Sequence, residues 1–531
     1  MNVRPDSCAR GGTREVIVDS STNRTTSTST VRTAPSPTTA DNATVNHSPV
    51  NHSRVNSTSV TAAYLSRYER TARRADVPAG LLPVTGAQRR FLLARRLAPG
   101  GRPDLVPLFF AFPRGTVDLD RLRAAAGRLA ALHPALRART GVLRSTPVQW
   151  LDTPRAEVRR ETPRPGESAV QVLRRALLEW PAQGPALRFF LTEDPAAEEP
   201  TEVLALALDH AVCDEQSLGR ITADLGDAYR DGLGPADVDA DRAAEEAAGY
   251  AEAVRLQLDA EARASGPVSL AYWSQRLAAA GARTESATGP GTKADTDTGV
   301  HTGVDTGVHA APDTGTAPDA GAARLSGAVQ ARLPLGPDGG RAMAFPVLLT
   351  ACTTAARALY GTGRVPLLGY PWGGRPAAAP PVLGCFLNTV VHPALDRGPD
   401  EVTSTWWDDL DHADTPFDEV VRAARTALHP PAGPASPPVS GAWSGKLDGL
   451  LTFEDLHRRP PLRLGGVDGR EVHIDGRPLQ APFAVSVSYG ADLLVRMAWD
   501  RGVLSDARAR DAFGLLLDAL RTHMGTAAPA A

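Results

Sequence analysis

Residues 201–220, TEVLALALDHAVCDEQSLGR, set an unbroken apolar run directly against a charged turn and a helix start. Val203, Leu204, Ala205, Leu206, Ala207 and Leu208 follow one another without polar alternation. A short run of this kind, bounded by polar residues, reads as a buried strand. The strand delivers Asp209 and His210 at its end, and the chain turns through Ala211, Val212 and Cys213. Asp214 then precedes the apolar spacing Leu218, Ile221 and Leu225, which makes it the N-cap of a helix. An imidazole at the end of a rigid strand, looking into the space a loop leaves open, is placed as a general base is placed. On its own a His-x-x-x-Asp pattern more often marks a histidine satisfied by its surroundings, so the rest of the chain decides between the two.

The chain has 531 residues, more than one ordinary core holds, so two lobes are expected. Its 42% apolar and 22% charged residues are those of a globular protein. A net charge of -3 argues against a nucleic-acid or anionic-membrane partner, and no run approaches the ~18 apolar residues of a membrane helix. Cys8, Cys213, Cys352 and Cys385 lack metal-ligand spacing and read as reduced thiols of a cytoplasmic protein, with no metal site. Residues 1–62 are rich in Ser, Thr and Asn and are expected to be disordered. The sequons at Asn42, Asn46, Asn51 and Asn56 have no signal-like apolar stretch before them and read as incidental. Residues 283–323 carry the low-complexity repeat TDTGVHTGVDTGVH, read as a flexible insertion rather than a metal-binding Asp/His array. These features divide the chain into a lobe over 63–265, an inter-lobe helix over 266–282, the insertion, and a second lobe over 324–531.

Along the first lobe, Thr85 and Gln88 form a capping box at the head of a helix that Pro99 and Gly100 stop. LVPLFFAFPRG reads as a strand, and 117–140 as one long amphipathic helix bearing Leu119, Leu122, Ala126, Leu129 and Leu132. PVQWL is a strand, AVQVLRRALLEW a helix, and GPALRFFLTED a strand hairpinned to the His210 strand. Residues 247–281 are helical with a break at Gly266-Pro267. A helix follows over 345–361, then strands in VPLLGYPWGGRP and VLGCFLNTVVHPAL, a helix in HADTPFDEVVRAA, and the strands and last helix of the C-terminal stretch. The pattern is mixed α/β without a Gly-rich phosphate loop.

In this order TGAQRRFLL, HPALR, GPALRFFL, DHAVCDEQS, GYPWGGR, LGCFLNT and HADTPF resemble the motifs of the nonribosomal peptide synthetase condensation-domain family. The resemblance covers roughly residues 80–525, interrupted by the insertion. It implies a two-lobed chloramphenicol acetyltransferase-like α/β pseudo-dimer with an inter-lobe channel. Aligned with the family signature His-His-x-x-x-Asp-Gly, then Ser two residues on, the first His is Asp209, the second His210, the Asp is Asp214, the Gly is Glu215 and the Ser is Ser217. The resemblance makes His210 the base and positioner of an acyl transfer. It makes Asp214 a structural carboxylate paired with an Arg, with Arg137 as first partner and Arg375 as second. Asp209 then supports the loop, and Glu215, Ser217 and Asn388 line the substrate channel. For Asn388 a strand-capping amide is an equal reading. Cys213 is not expected to carry the acyl group, since the family forms no covalent intermediate.

An imidazole, with its ordinary pKa of about 6.5, can take the acceptor's proton as a tetrahedral intermediate forms from a thioester. The implied activity is amide formation, less readily ester formation, between a carrier-bound acyl group and a small-molecule amine or alcohol. No cofactor is bound by the chain itself; 4'-phosphopantetheine would arrive on an acyl or peptidyl carrier protein in trans. Arg89, Arg90, Arg95 and Arg96 are expected to form a surface stripe, which either meets an acidic carrier or is simply a solvated helix face. Two alternatives stand beside this: a catalytically inactive module that recruits carrier proteins or tailoring enzymes, and a coenzyme A-dependent alcohol O-acyltransferase. Asp209 and Glu215 favour the first alternative; intact His210, Asp214 and Ser217 favour the enzyme.

Overall fold

The structure, a computed structural model, describes residues 59–74, 76, 80–97, 104–179, 184–286, 326–335, 345–361, 363–428, 445–474 and 479–524. Nearly all of the tail expected over 1–62 and of the insertion over 283–323 lies outside these residues, as does the Asp/His repeat.

The first half is built on one sheet. Its strands are β1 (Leu105–Pro113), β4 (Glu157–Arg160), β5 (Leu187–Asp194) and β6 (Thr201–Asp209), with β2 (Ala138–Leu143) and β3 (Thr146–Leu151) as a separate hairpin. β6 lies between β1 and β5 and is antiparallel to both, Leu105 facing Asp209 at one end and Pro113 facing Thr201 at the other. This central place explains the unbroken apolar run. Leu204, Leu206 and Leu208 join one core with Leu122 and Leu129 of α3 (Leu119–Leu132) and Leu218, Ile221 and Leu225 of α6 (Glu215–Asp231). Val203 and Ala205 face Leu173 and Ala176 of α5 (Ala169–Leu178) on the other side. At about 1.5–3 kcal/mol each, the three buried leucines contribute about 5–9 kcal/mol, comparable to the net stability of a whole domain. The position of β6 is therefore strongly specified.

The helix expected over 117–140 breaks in two. α3 stops at Leu132 and a four-residue helix, α4 (Pro134–Arg137), follows before β2. His133, ahead of Pro134, is extended at φ -98° and ψ 110°, as a residue preceding proline prefers. α1 (Val60–Ala72) and α2 (Gly86–Leu97) precede the sheet, and the capping box at α2 forms as expected, Thr85 N–H to Gln88 Oε1 at 3.0 Å and Gln88 N–H to Thr85 Oγ1 at 3.3 Å. α7 (Ala240–Ala264) and α8 (Pro267–Ser286) meet at the Gly266-Pro267 break.

The second half carries a six-stranded sheet in the order β7-β15-β14-β10-β8-β9: β7 (Ser326–Pro334), β8 (Leu367–Trp372), β9 (Asn388–Pro393), β10 (Gly449–Asp455), β14 (Phe483–Tyr489) and β15 (Asp492–Asp500). β10 runs parallel to both its neighbours; the other pairs are antiparallel. α9 (Phe345–Tyr360), α10 (Pro399–Asp411), α11 (Phe417–Leu428) and α12 (Asp506–Met524) complete this half, whose core gathers Trp273, Leu349, Tyr370, Phe483, Trp499 and Phe513.

Two segments of the second half cross into the first. After the two-residue strands β11 (Arg463–Leu464) and β12 (Val467–Asp468), β13 (Arg470–Val472) adds an edge to the first sheet, Phe109 facing Val472. Leu462 and Leu464 sit in the first core, and Gly469 passes so close to Phe112 that a Cβ would lie 2.5 Å from its ring. The second crossing is the 373–387 loop between β8 and β9. The sequence predicts strand from Val382 onward, but only Asn388–Pro393 is strand; Val382, Leu383 and Phe386 instead fill the first core.

Candidate active site

His210 stands where the sequence places it, on a single turn of 3-10 helix (His210–Val212) that follows β6. Its N–H donates to the Asp104 carbonyl at 2.8 Å. Its imidazole stacks on Phe91, with centroids 4.4 Å apart and planes 25° apart. Nδ1 is buried and has no hydrogen-bond partner among the described residues. Asp209 supports this turn in two ways: Oδ1 accepts the Ala211 N–H at 3.0 Å, and Oδ2 pairs with Arg95. Gln88 donates to the Ala211 carbonyl at 3.1 Å. Gln88, Phe91 and Arg95 share one face of α2, at the i, i+3, i+7 spacing of neighbouring helical turns. The sequence reading named Gln88 only as a capping residue and Arg95 only as part of a surface stripe, and nothing local in the sequence ties either to the His210 turn.

Asp214 caps α6 and is held from four directions. It accepts the Ser217 N–H at 3.0 Å and the Ser217 hydroxyl at 2.8 Å, and the Phe386 N–H at 3.2 Å. Nη2 of Arg375 reaches both its oxygens, at 2.7 and 2.8 Å. Arg375 comes from the 373–387 crossing, also donates to the Val382 carbonyl, and lies over the Phe386 ring at 4.8 Å. The partner of Asp214 is thus Arg375, and the expectation for Arg137 is corrected. Arg137 ends α4, and its Nε is buried without a partner among the described residues. With side chains 4% and 11% exposed, the Asp214–Arg375 pair is costly to break from one side.

Ser217 is also corrected. It is buried, and its hydroxyl is engaged by Asp214, by Arg375 at 3.1 Å and by the Gly384 N–H at 3.2 Å, so it does not line a channel. Asn388 spends its amide on the carbonyls of Ala413 and Thr415, at 2.7 and 2.6 Å, the strand-capping role. Cys213 and Cys385 are fully buried, and burial pushes both thiols well above their usual range, which keeps them inert as nucleophiles.

Glu215, the first residue of α6, is open to solvent yet hemmed in by protein. Desolvation in this setting pushes its carboxyl up to about 7; Glu454, Glu471 and Asp214 add to the rise and Arg459 opposes it. Arg459 is itself committed to Glu471 at 2.6 Å, and Glu454 accepts the Ser488 hydroxyl at 3.2 Å.

The arginine stripe expected on α2 is not a solvated face. Arg89 is buried against Glu261 and Asp418 at 3.5 and 3.0 Å, Arg95 meets Asp209, and Arg90 turns toward Thr389 and Phe417; Arg96 is exposed. The reason is that α2 is sandwiched between the halves, and acids from distant segments meet it there. Between the halves a narrow cleft is lined by Gly86, Ala87, Arg90, Phe91, Asn388, Thr389 and Phe417, among others. Among the described residues no helix is long and apolar enough to cross a membrane.

Comparison with known proteins shows the same architecture. No family model matches the chain, and no curated protein does. Among solved structures, the X-domain from teicoplanin biosynthesis superposes with a TM-score of 0.54 at 18% identity, over 85% of this chain and 96% of its own. The complex of that X-domain with OxyB gives 0.52 at 17%, over 85% and 94%. The nonribosomal peptide synthetase FmoA3, bound to α-methyl-L-serine-AMP, gives 0.54 at 19%, over 85% of this chain and 45% of its own. The chain has the two-lobed chloramphenicol acetyltransferase-like fold of condensation domains and X-domains.

Proposed function

We propose that the protein is a condensation enzyme that joins a carrier-bound acyl thioester to an amine acceptor, less readily to an alcohol. The observation that carries the reading is the fixing of His210: its ring is stacked on Phe91, and its loop is tied to α2 through Gln88 and Asp209. Behind it, the Asp214–Arg375 pair locks the start of α6 to the other half of the chain. With Nδ1 enclosed, Nε2 is the nitrogen that meets a substrate.

In the proposed step the acceptor nitrogen attacks the thioester carbonyl and a C–N bond forms. His210 takes the proton this nitrogen loses. The tetrahedral intermediate then collapses, the C–S bond breaks, and the proton passes from His210 to the departing thiolate of the carrier's 4'-phosphopantetheine. Asp214, Asp209 and Arg375 act by position alone. Supply of the acyl group by a carrier protein in trans belongs to the same proposal.

A second reading is a module that recruits carrier proteins or tailoring enzymes. It is favoured by Glu215 in a position where the condensation signature has Gly, and by the likeness to an X-domain whose solved complex holds OxyB. Incubation of the purified protein with acyl-loaded carrier proteins and candidate amines, followed by mass spectrometry, separates the two. Amide product supports the enzyme. Tight carrier or tailoring-enzyme binding with no product supports recruitment.

A further inference from the structure

Three of the arginines between the halves meet a carboxylate: Arg89 meets Glu261 and Asp418, Arg95 meets Asp209, and Arg375 meets Asp214. Arg90, between the first two on α2, has no carboxylate within ion-pair distance among the described residues. Its recorded partners are the Thr389 hydroxyl and the Phe417 ring, 4.7 Å from the guanidinium carbon. Burial pushes this guanidinium down from its ordinary value, and Asp104 and Cys385 counter that only at longer range. A neutral hydroxyl and a π face replace a fraction of the hydration an arginine gives up, so the charge is left undercompensated. Arg90 also lines the narrow cleft. Phe91, the next residue, forms another wall of that cleft and is the ring on which His210 stacks. A cation with no carboxylate at ion-pair distance among the described residues, on the wall of a cleft shared by both halves and one residue from the ring beneath the candidate base, is an anion site by its chemistry.

We propose that Arg90 binds a carboxylate carried by one of the two substrates, the carboxylate replacing Thr389 as acceptor of its N–H groups. The planar fork of arginine suits a carboxylate's two oxygens, which a hydroxyl cannot offer. The cleft is tight as it stands, so binding requires the Arg90 side chain to leave the Thr389 hydroxyl. The inference rests on the condensation reading for the choice of substrates alone, because binding is read without turnover.

The test is calorimetry on His210→Ala protein, with and without Arg90→Met. One arm compares glutaryl with pentanoyl N-acetylcysteamine thioester; the other compares 3-aminopropanoate with butylamine. The carboxylate ligand of one pair is expected to bind about 10- to 100-fold tighter than its neutral counterpart, as for a charge-assisted hydrogen-bonded pair. Arg90→Met is expected to abolish that preference, and the arm that shows it identifies the acyl donor or the acceptor as the source. Thr389→Val, nearly isosteric, removes the competing acceptor and is expected to sharpen the preference in a protein whose melting is otherwise normal. Equal affinities in both arms overturn the proposal, as does a preference that survives Arg90→Met. If the carboxylate preference holds while the wild type makes no product, the site stands and the condensation reading falls.

Discussion

Removing Arg375 tests the lock on the candidate base most sharply. Arg375→Met strands a buried carboxylate, and breaking a buried pair from one side costs about 3–5 kcal/mol. Asp214 keeps three donors in that variant, Ser217 N–H, the Ser217 hydroxyl and Phe386 N–H, so the lower figure of about 3 kcal/mol applies. Asp214→Asn keeps the shape and an acceptor oxygen and is expected to cost about 2 kcal/mol. The double variant has no pair left to break, so it should cost about 3 rather than the sum of about 5 kcal/mol, a coupling of about 2 kcal/mol. Hydrogen exchange of the peptides spanning residues 205–225 reads this locally, as a protection about 30-fold greater in the double variant than additivity allows. A coupling below about 0.5 kcal/mol would refute the reasoning. So would an equal coupling between Asp214→Asn and Arg137→Met, which the structure puts at zero.

Other outcomes follow from the same geometry. Glu215 has a folded pKa near 7 against an ordinary 4.5, so between those values the folded chain holds the extra proton and stability falls as pH rises. Glu215→Gln should therefore raise the urea midpoint above pH 7 relative to wild type, and the gain should vanish below about pH 4.5; a constant difference across pH contradicts this. Asn388→Ala leaves two carbonyls without their donor and should cost about 1–3 kcal/mol in thermal or urea unfolding; an unchanged midpoint contradicts the capping role. Cys213→Ala should retain full activity, and iodoacetamide at pH 7 should leave the wild type unmodified at this residue; inactivation through Cys213 would restore the thiol to the mechanism.

Local chemistry made parts of this fold legible. The run Val203–Leu208 followed by Asp214 marks a central strand and a capped helix, because burial on both faces removes alternation and a short acid satisfies free N–H groups. The same holds for the Thr85 and Gln88 capping box and the break at Gly266-Pro267. What escaped is non-local. Arg375 lies 161 residues from Asp214, and nothing in the sequence ranks it above Arg137. Three-residue β13 carries no periodicity, and its pairing with β1 is set by the crossing that brings it there. The arginines of α2 read as a solvated stripe because their acids, Asp209, Glu261 and Asp418, are contributed by three other segments.

The central claim is that His210 removes the acceptor's proton. The direct measurement is the single-turnover rate of amide formation from an acyl-loaded carrier and its amine, comparing wild type with His210→Ala and His210→Gln. Loss of a positioned general base predicts a fall of at least about 100-fold in both variants, with melting and carrier affinity unchanged. Equal rates in the three proteins would contradict the claim and take His210 out of the mechanism.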